Sequence, residues 1–288
     1  MALEPPNQRK NPLQALMRQP KIYIKLPSNG RYWPEGSLDV SPTNEYAVYS
    51  MTARDEILMK TPDALMNGQA TVDVIQSCMP NILDAWQTPS LDLDAILVAI
   101  RIATYGEKMD IDLNIPDHDL NYGVDLRNVL DTIYQRVSWD EKIDIGSTMA
   151  IYIKPANYLT ISKTNLQNFE TQKIINLVSD SSLDEEQKIL QFRESFKKLT
   201  DISVEIINSC VYKIDSSQGL VEDQEFIKEF LENCDKEIFD QIKQRLDQIK
   251  TQNTLDPIRI PATPEMIAKG SPDHIEIPLT FDPTTFFA

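Results

Sequence analysis

Residues 90–106, SLDLDAILVAIRIATYG, constrain this chain more than any other stretch. Ser90 is a good helix cap and Gly106 a good stop. Between them Ile96, Leu97, Val98, Ala99, Ile100 and Ile102 leave almost no polar face. A helix that is apolar nearly all round cannot sit on a surface, so it predicts a core helix that other elements must cover.

The flanking segments supply the cover. KIYIKL (21–26) and EYAVYS (45–50) read as strands, with a further candidate near Leu38–Val40. MTARDEILM (51–59) reads as a helix, with Thr52 as cap and Asp55 and Glu56 in the favourable first turn. TPDALMNG (61–68) and TVDVIQSCM (71–79) predict two more short helices, bounded by Pro62, Gly68 and Pro80. EKMDIDLNIP (107–116) switches to period two, with Met109, Ile111, Leu113 and Ile115 on one face, which predicts a half-buried strand. VDLRNVLDTIYQRV (124–137) begins extended and turns helical, and MAIYIKP (149–155) is a strand stopped by Pro155.

From about residue 158 the pattern becomes helical. Ile189, Phe192, Phe196, Leu199, Ile202, Ile206 and Cys210 recur at spacings of three and four. The helical reading extends from Asp184 through VYKI to Ile214, a rise of roughly 45 Å at about 1.5 Å per residue. DQEFIKEFLENC and DKEIFDQIKQRLDQIK follow, and short links between them predict antiparallel neighbours. IRIPATP and HIEIPLTFDPTTFFA then return to extended chain, and this late strand is placed to rejoin the early ones. The fold class predicted is α+β and predominantly helical. The organisation expected is a flexible arm over 1–20, an α+β domain over 21–157, a helical bundle over 158–253, and a C-terminal segment over 254–288 packing back on the α+β domain.

Composition narrows the function. The net charge of −16 disfavours a nucleic-acid binder, because Lys and Arg supply most of the affinity for a phosphate backbone. Three cysteines without close spacing, Cys78, Cys210 and Cys234, argue for buried free thiols rather than disulfides or a thiolate metal site. The N-terminus MALEPPNQRKNPLQ does not read as a signal peptide, and no apolar run is long enough for a membrane span. No phosphate-binding or nucleophile-elbow motif is present, in keeping with only 8 glycines. The two histidines, His118 and His274, both stand in Pro-Asp-His. Paired with neighbouring carboxylates they offer a metal-dependent hydrolase reading, although surface loops account for them as well. The pairs Asp92/Asp94 and Asp110/Asp112 fit a helix start and the polar face of a strand.

LPSNGRYWPEG (26–36) concentrates two glycines, two prolines and three bulky side chains in eleven residues. Asn29-Gly30 tolerates positive φ, so a hairpin turn is the plain reading. Arg31, Tyr32 and Trp33 then stand as an aromatic-cationic knob of the composition that protein interfaces favour. Packing onto the chain's own core is the competing account, and small-ligand binding is a third.

Three stretches resemble the T-even-type phage baseplate hub family: LPSNGRYWPEG, YSMTARDEILMKTPDALMNGQATVDVIQSC and LDLDAILVAIRIATYG. The shared pattern is a Leu-Pro-Ser-x-Gly-Arg turn, a Met-Thr-Ala-x-Asp-Glu helix start, and a helix running Asp94, Arg101, Tyr105-Gly106. LTFDPTTFFA (279–288) is similar to the ending of that family, whereas the helical middle matches in character alone. Members carry Cys-Pro-x-Cys elements resembling zinc knuckles; IPDHDLNYGVDL and SPDHIEIPL stand in those places without cysteine, so no metal site is carried over. The resemblance implies no catalysis and no cofactor. It implies a protein of the baseplate hub of a contractile tail, found in the virion and, during assembly, in the host cytoplasm, with other baseplate proteins as partners. A transient assembly chaperone for the hub is the alternative. Arg31, Tyr32, Trp33, Arg54, Phe286 and Phe287 are the partner-contact candidates, and Arg101, on an apolar helix, reads as internal.

Overall fold

The computed structural model describes residues 13, 17–61, 68–115, 118–146, 148–163, 171, 185–262, 267, 273–277 and 286–287. The fold is predominantly helical α+β.

Strand β1 (Ile22–Ile24) pairs antiparallel with β2 (Tyr46–Val48), Ile22 opposite Val48 and Ile24 opposite Tyr46. The intervening chain is too long for a hairpin. Leu38 forms one isolated bridge with Ile82, not a strand, so the hairpin reading of 26–36 is corrected: its turns are stacked in a loop. Helices α1 (Ala53–Met59) and α2 (Gln69–Cys78) follow, and then α3 (Ser90–Tyr105). The helix expected over 61–68 lies outside the described residues except at its ends.

The start of α1 shows why it begins where it does. Thr52 Oγ1 accepts from the Asp55 amide at 3.3 Å, and Asp55 Oδ2 accepts from the Thr52 amide at 2.7 Å. This reciprocal box satisfies two otherwise orphaned donors. Asp55 is buried and also accepts from Ser77 Oγ of α2 at 2.9 Å, so the cap ties two helices together. Thr52→Ala is expected to cost about 1 kcal/mol, read as a shift of the urea midpoint at unchanged slope.

Helix α3 is the buried axle that its sequence predicts. Ala95 through Ile100 are all at most 2% exposed, and Gly106 terminates the helix at φ 97°. Ser90 is its first residue, not its cap; its amide donates to the Ala156 carbonyl at 2.7 Å, and Pro89 occupies the cap position. Around α3 lie Ile24, Tyr46 and Val48 of β1 and β2, Val74 and Ile75 of α2, Leu126 and Leu130 of α4 (Leu126–Arg136), and Phe286 and Phe287 from the chain end.

Strands β3 (Lys108–Ile115) and β4 (His118–Asp125) form an antiparallel pair. A second core stands on a four-stranded antiparallel sheet in the order β5 (Lys142–Ile145), β6 (Met149–Ile153), β7 (Val211–Ser216) and β8 (Gly219–Val221). Ile151, Ile153, Val211 and Ile214 from the sheet meet Ile227 and Leu231 of α6 (Gln224–Asn233) and Ile242 and Ile249 of α7 (Lys236–Asn253). Here the helical reading of Val211–Ile214 is corrected. Helix α5 (Glu185–Cys210) ends at Cys210, and VYKIDS pairs with β6. Its β-branched and aromatic residues suit a pleated surface, and a partner strand some sixty residues earlier decides the outcome.

Within α5, Ile202, Ile207 and Cys210 are buried, whereas Ile189, Leu190, Phe192 and Phe196 are exposed. The rings of Phe192 and Phe196 stack at 5.9 Å. The late strands do not rejoin β1 and β2: β9 (Ile258–Pro261) pairs with β10 (His274–Ile277). No helix among the described residues is long and apolar enough to cross a membrane.

Candidate functional site

The loop at 26–37 is built from successive tight turns. The Asn29 amide donates to Leu26 O at 2.8 Å and the Arg31 amide to Ser28 O at 3.1 Å. Asn29 and Gly30 take positive φ of 55° and 76°, which these residue types tolerate. Tyr32 also has positive φ, 69°. For a bulky aromatic that is an outlier costing of order 1 kcal/mol or more, and it persists only where surrounding contacts outweigh it.

Those contacts run inward. Asp92, fully buried in the first turn of α3, accepts from the Ser28 amide at 2.7 Å, from Ser28 Oγ at 2.5 Å and from Trp33 Nε1 at 2.8 Å. Burial pushes its carboxyl up to about 6, against the pull of the Ser28 and Trp33 donors. Glu141, just before β5, forms the second anchor. Its Oε1 accepts from Tyr32 OH at 2.6 Å and Arg31 Nη2 at 2.7 Å, and its Oε2 from Tyr212 OH at 3.0 Å. Burial, and then the Glu141 hydrogen bond, raise the Tyr32 phenol well above its ordinary value. The Tyr32 ring lies 6.3 Å from Trp139, whose indole N–H donates to Ile153 O at 3.0 Å.

The loop therefore bridges the two cores. Trp33 and Ser28 hold α3, while Arg31 and Tyr32 hold the segment leading into the four-stranded sheet. Arg31 keeps two thirds of its side chain exposed beside this pairing. Glu141→Ala removes the common acceptor for three donors and leaves the strained Tyr32 without its anchor. We expect a loss of about 2 kcal/mol, measured by urea unfolding. A loss under about 0.5 kcal/mol would mean that the bridge contributes no more than a solvated surface pair.

The chain end forms a second clamp. Phe286 and Phe287 are each 4% exposed, with rings edge to face at 5.2 Å. The Arg101 guanidinium donates to the Phe286 carbonyl and lies 5.2 Å from the Phe286 ring and 5.3 Å from the Tyr105 ring. Arg101 and Tyr105 of the Asp-Arg-Tyr-Gly pattern thus act together on the C-terminus. Arg54 stands apart, exposed on the first turn of α1.

The two histidines are not loop residues. His118 opens β4 opposite Ile115, and His274 opens β10 opposite Pro261, in separate two-stranded sheets. Among the described residues no group of three His, Cys, Asp or Glu side chains could hold a metal ion. Cys78 and Cys210 are buried free thiols; burial raises the first to about 12 and the second to about 11, which removes thiolate character.

In the sequence Asp92 stands at a helix start, and no pattern singles out Glu141 or Tyr212. The acid at 92 carries only the local signal of a helix start, because its donors Ser28 and Trp33 lie 64 and 59 positions away. Glu141 carries none, because its partners lie 71 and about 110 positions away.

In the comparison with protein families, the model described as T4 bacteriophage base plate protein matches residues 19–263. The match runs through the helical middle, where the resemblance was one of character alone, and stops short of 279–288. No curated protein and no solved structure gives a significant match. With most of its length matched, the chain belongs to the T4 bacteriophage base plate protein family.

Proposed function

We propose that this protein belongs to the central hub of a contractile phage tail baseplate, where it acts through protein–protein contacts and without catalysis. The observation that carries the reading is the family match over residues 19–263; membership itself means a phage baseplate structural role in the tail and association with other baseplate proteins. The hub position rests on the three N-terminal stretches quoted above. Support for protein contact comes from α5, whose Ile189, Leu190, Phe192 and Phe196 stand exposed within eight residues. A clustered apolar stripe of this kind suits a partner surface.

The test is quantitative mass spectrometry of purified virions beside the infected-cell lysate. A fixed ratio to known tail proteins makes the chain a resident hub component. Abundance in the lysate with none in virions makes it an assembly chaperone that leaves before completion. Absence of any association with tail particles removes the hub reading. Metal analysis of the purified protein addresses the remaining alternative: stoichiometric Zn²⁺ or Mn²⁺ would reopen the hydrolase reading at His118 and His274.

A further inference from the structure

Between the two cores lies a cavity of about 600 Å³, within the size range of ligand-binding clefts. The first turns of α3, the last turns of α5 and one face of α7 wall it. Its apolar lining includes Leu93, Trp139, Ile206, Phe239 and Leu246. Five charged residues line it: Asp94 from α3, and Asp240, Lys243, Asp247 and Lys250 from α7. The four on α7 are exposed, two of each sign, so they cancel at the mouth. Asp94 differs. It is mostly buried, and no hydrogen bond or ion pair meets its carboxylate among the described residues.

A carboxylate without a partner in such a place is costly, because burial removes water without supplying a donor. Burial alone holds this carboxyl up at about 6. The contrast with Asp92, two residues away, is informative: that side chain receives three donors from the chain itself. Asp94 is also the acid of the Asp-Arg-Tyr-Gly pattern, and it takes no part in the clamp that Arg101 and Tyr105 form. The cavity is thus largely apolar, with Ser90, Ser203, Asn253 and Thr254 as its uncharged polar lining, around the Asp94 carboxylate and with a neutral rim.

We propose that this cavity receives a lysine or arginine side chain carried on an apolar stretch of a partner polypeptide, with Asp94 as its ion-pair acceptor. The stem and neighbouring apolar side chains pack against Trp139, Phe239 and Leu246, and the cation replaces the missing donor. An anionic occupant is disfavoured because the interior charge is negative. A purely apolar one leaves Asp94 unpaired. The inference rests on the reading of this protein as one that works by protein contacts, and it names the chemistry of one such contact.

The test titrates full-length protein with two capped tripeptides, acetyl-Leu-Arg-Leu-amide and the same peptide with neutral citrulline for arginine. Binding is followed by calorimetry and by tryptophan fluorescence. Preference for the arginine peptide by about tenfold, or about 1.4 kcal/mol, is expected. Asp94→Asn is expected to abolish that preference, and Trp139→Phe to remove most of the fluorescence change. Equal binding of the two peptides, no binding of either at millimolar concentration, or a preference that survives Asp94→Asn would each overturn the proposal. The comparison of peptides on the unmutated protein stands even if a variant folds poorly. Because the titration uses isolated protein, its failure leaves the virion measurement intact, and the reverse also holds.

Discussion

Asp92→Ala is expected to lower the unfolding free energy by about 4 kcal/mol at pH 7. The carboxylate is fully buried and is the acceptor for Ser28 N, Ser28 Oγ and Trp33 Nε1. Alanine leaves these donors facing an apolar void, and the amide of Ser28 cannot turn to water without moving the loop. The effect should exceed a simple cavity term and should loosen residues 28–33, seen as faster amide exchange there. Asp92→Asn keeps the shape but offers one acceptor oxygen, so a smaller loss of about 1–2 kcal/mol follows. A pH series separates charge from shape. Burial raises the Asp92 carboxyl from 3.8 to about 6 in the folded chain, so the folded state binds its proton more tightly than the unfolded state. The stability this group contributes is therefore fullest below about pH 4 and is lost as pH rises through 6. The deficit of Asp92→Asn relative to the parent should shrink between pH 4 and 7, measured by urea midpoints. A deficit that grows over that range would contradict the assignment, as would an Asp92→Ala loss below about 1 kcal/mol.

The double variant Phe286→Ala/Phe287→Ala has the other large expected effect, about 4–6 kcal/mol. A Phe→Ala change in a rigid core costs roughly 3–5 kcal/mol. The total falls below the sum because the rings touch each other at 5.2 Å, and contacting residues are not additive. The consequence spreads to Arg101, whose guanidinium uses the Phe286 carbonyl and ring. Burial lowers the Arg101 pKa, so loss of its cover relieves that desolvation, while the lost ring contact loosens the chain end. Unfolding by urea, read by circular dichroism, measures the stability term. Incorporation into tail particles reads the competing role. Unchanged stability with lost incorporation would show that the two rings serve a partner. A large stability loss shows that they close the first core.

These two sites also show what local reasoning could reach. Helix α3 was legible because a sixteen-residue helix whose centre, Ala95–Ile100, is unbroken apolar sequence belongs in a core. The cap at Thr52 was legible because both halves of its box lie three residues apart. The opening loop was half legible: Asn29-Gly30 announced a turn, yet the turn does not join β1 to a neighbouring strand. Which way Arg31, Tyr32 and Trp33 point depends on Asp92 and Glu141, and no local rule links positions so distant. Strand β7 was misread because VYKI follows a long helical period without a break, and its strand character is expressed only through pairing with β6.

By itself, then, the sequence determined what periodicity and chain chemistry dictate over a few turns. That includes the buried axle, the helix starts, the strand alternation of 107–116, a predominantly helical α+β class and a family pattern. Tertiary structure alone decided which of the two carboxylates at the start of α3 has partners. Asp92 and Asp94 stand in one helix with the same residue type and similar surroundings in sequence. One meets a folded loop and receives three donors, and the other faces a cavity between two cores. Periodicity specifies which face of a segment is apolar, whereas a polar group's partner depends on chain crossings that short-range preferences do not encode.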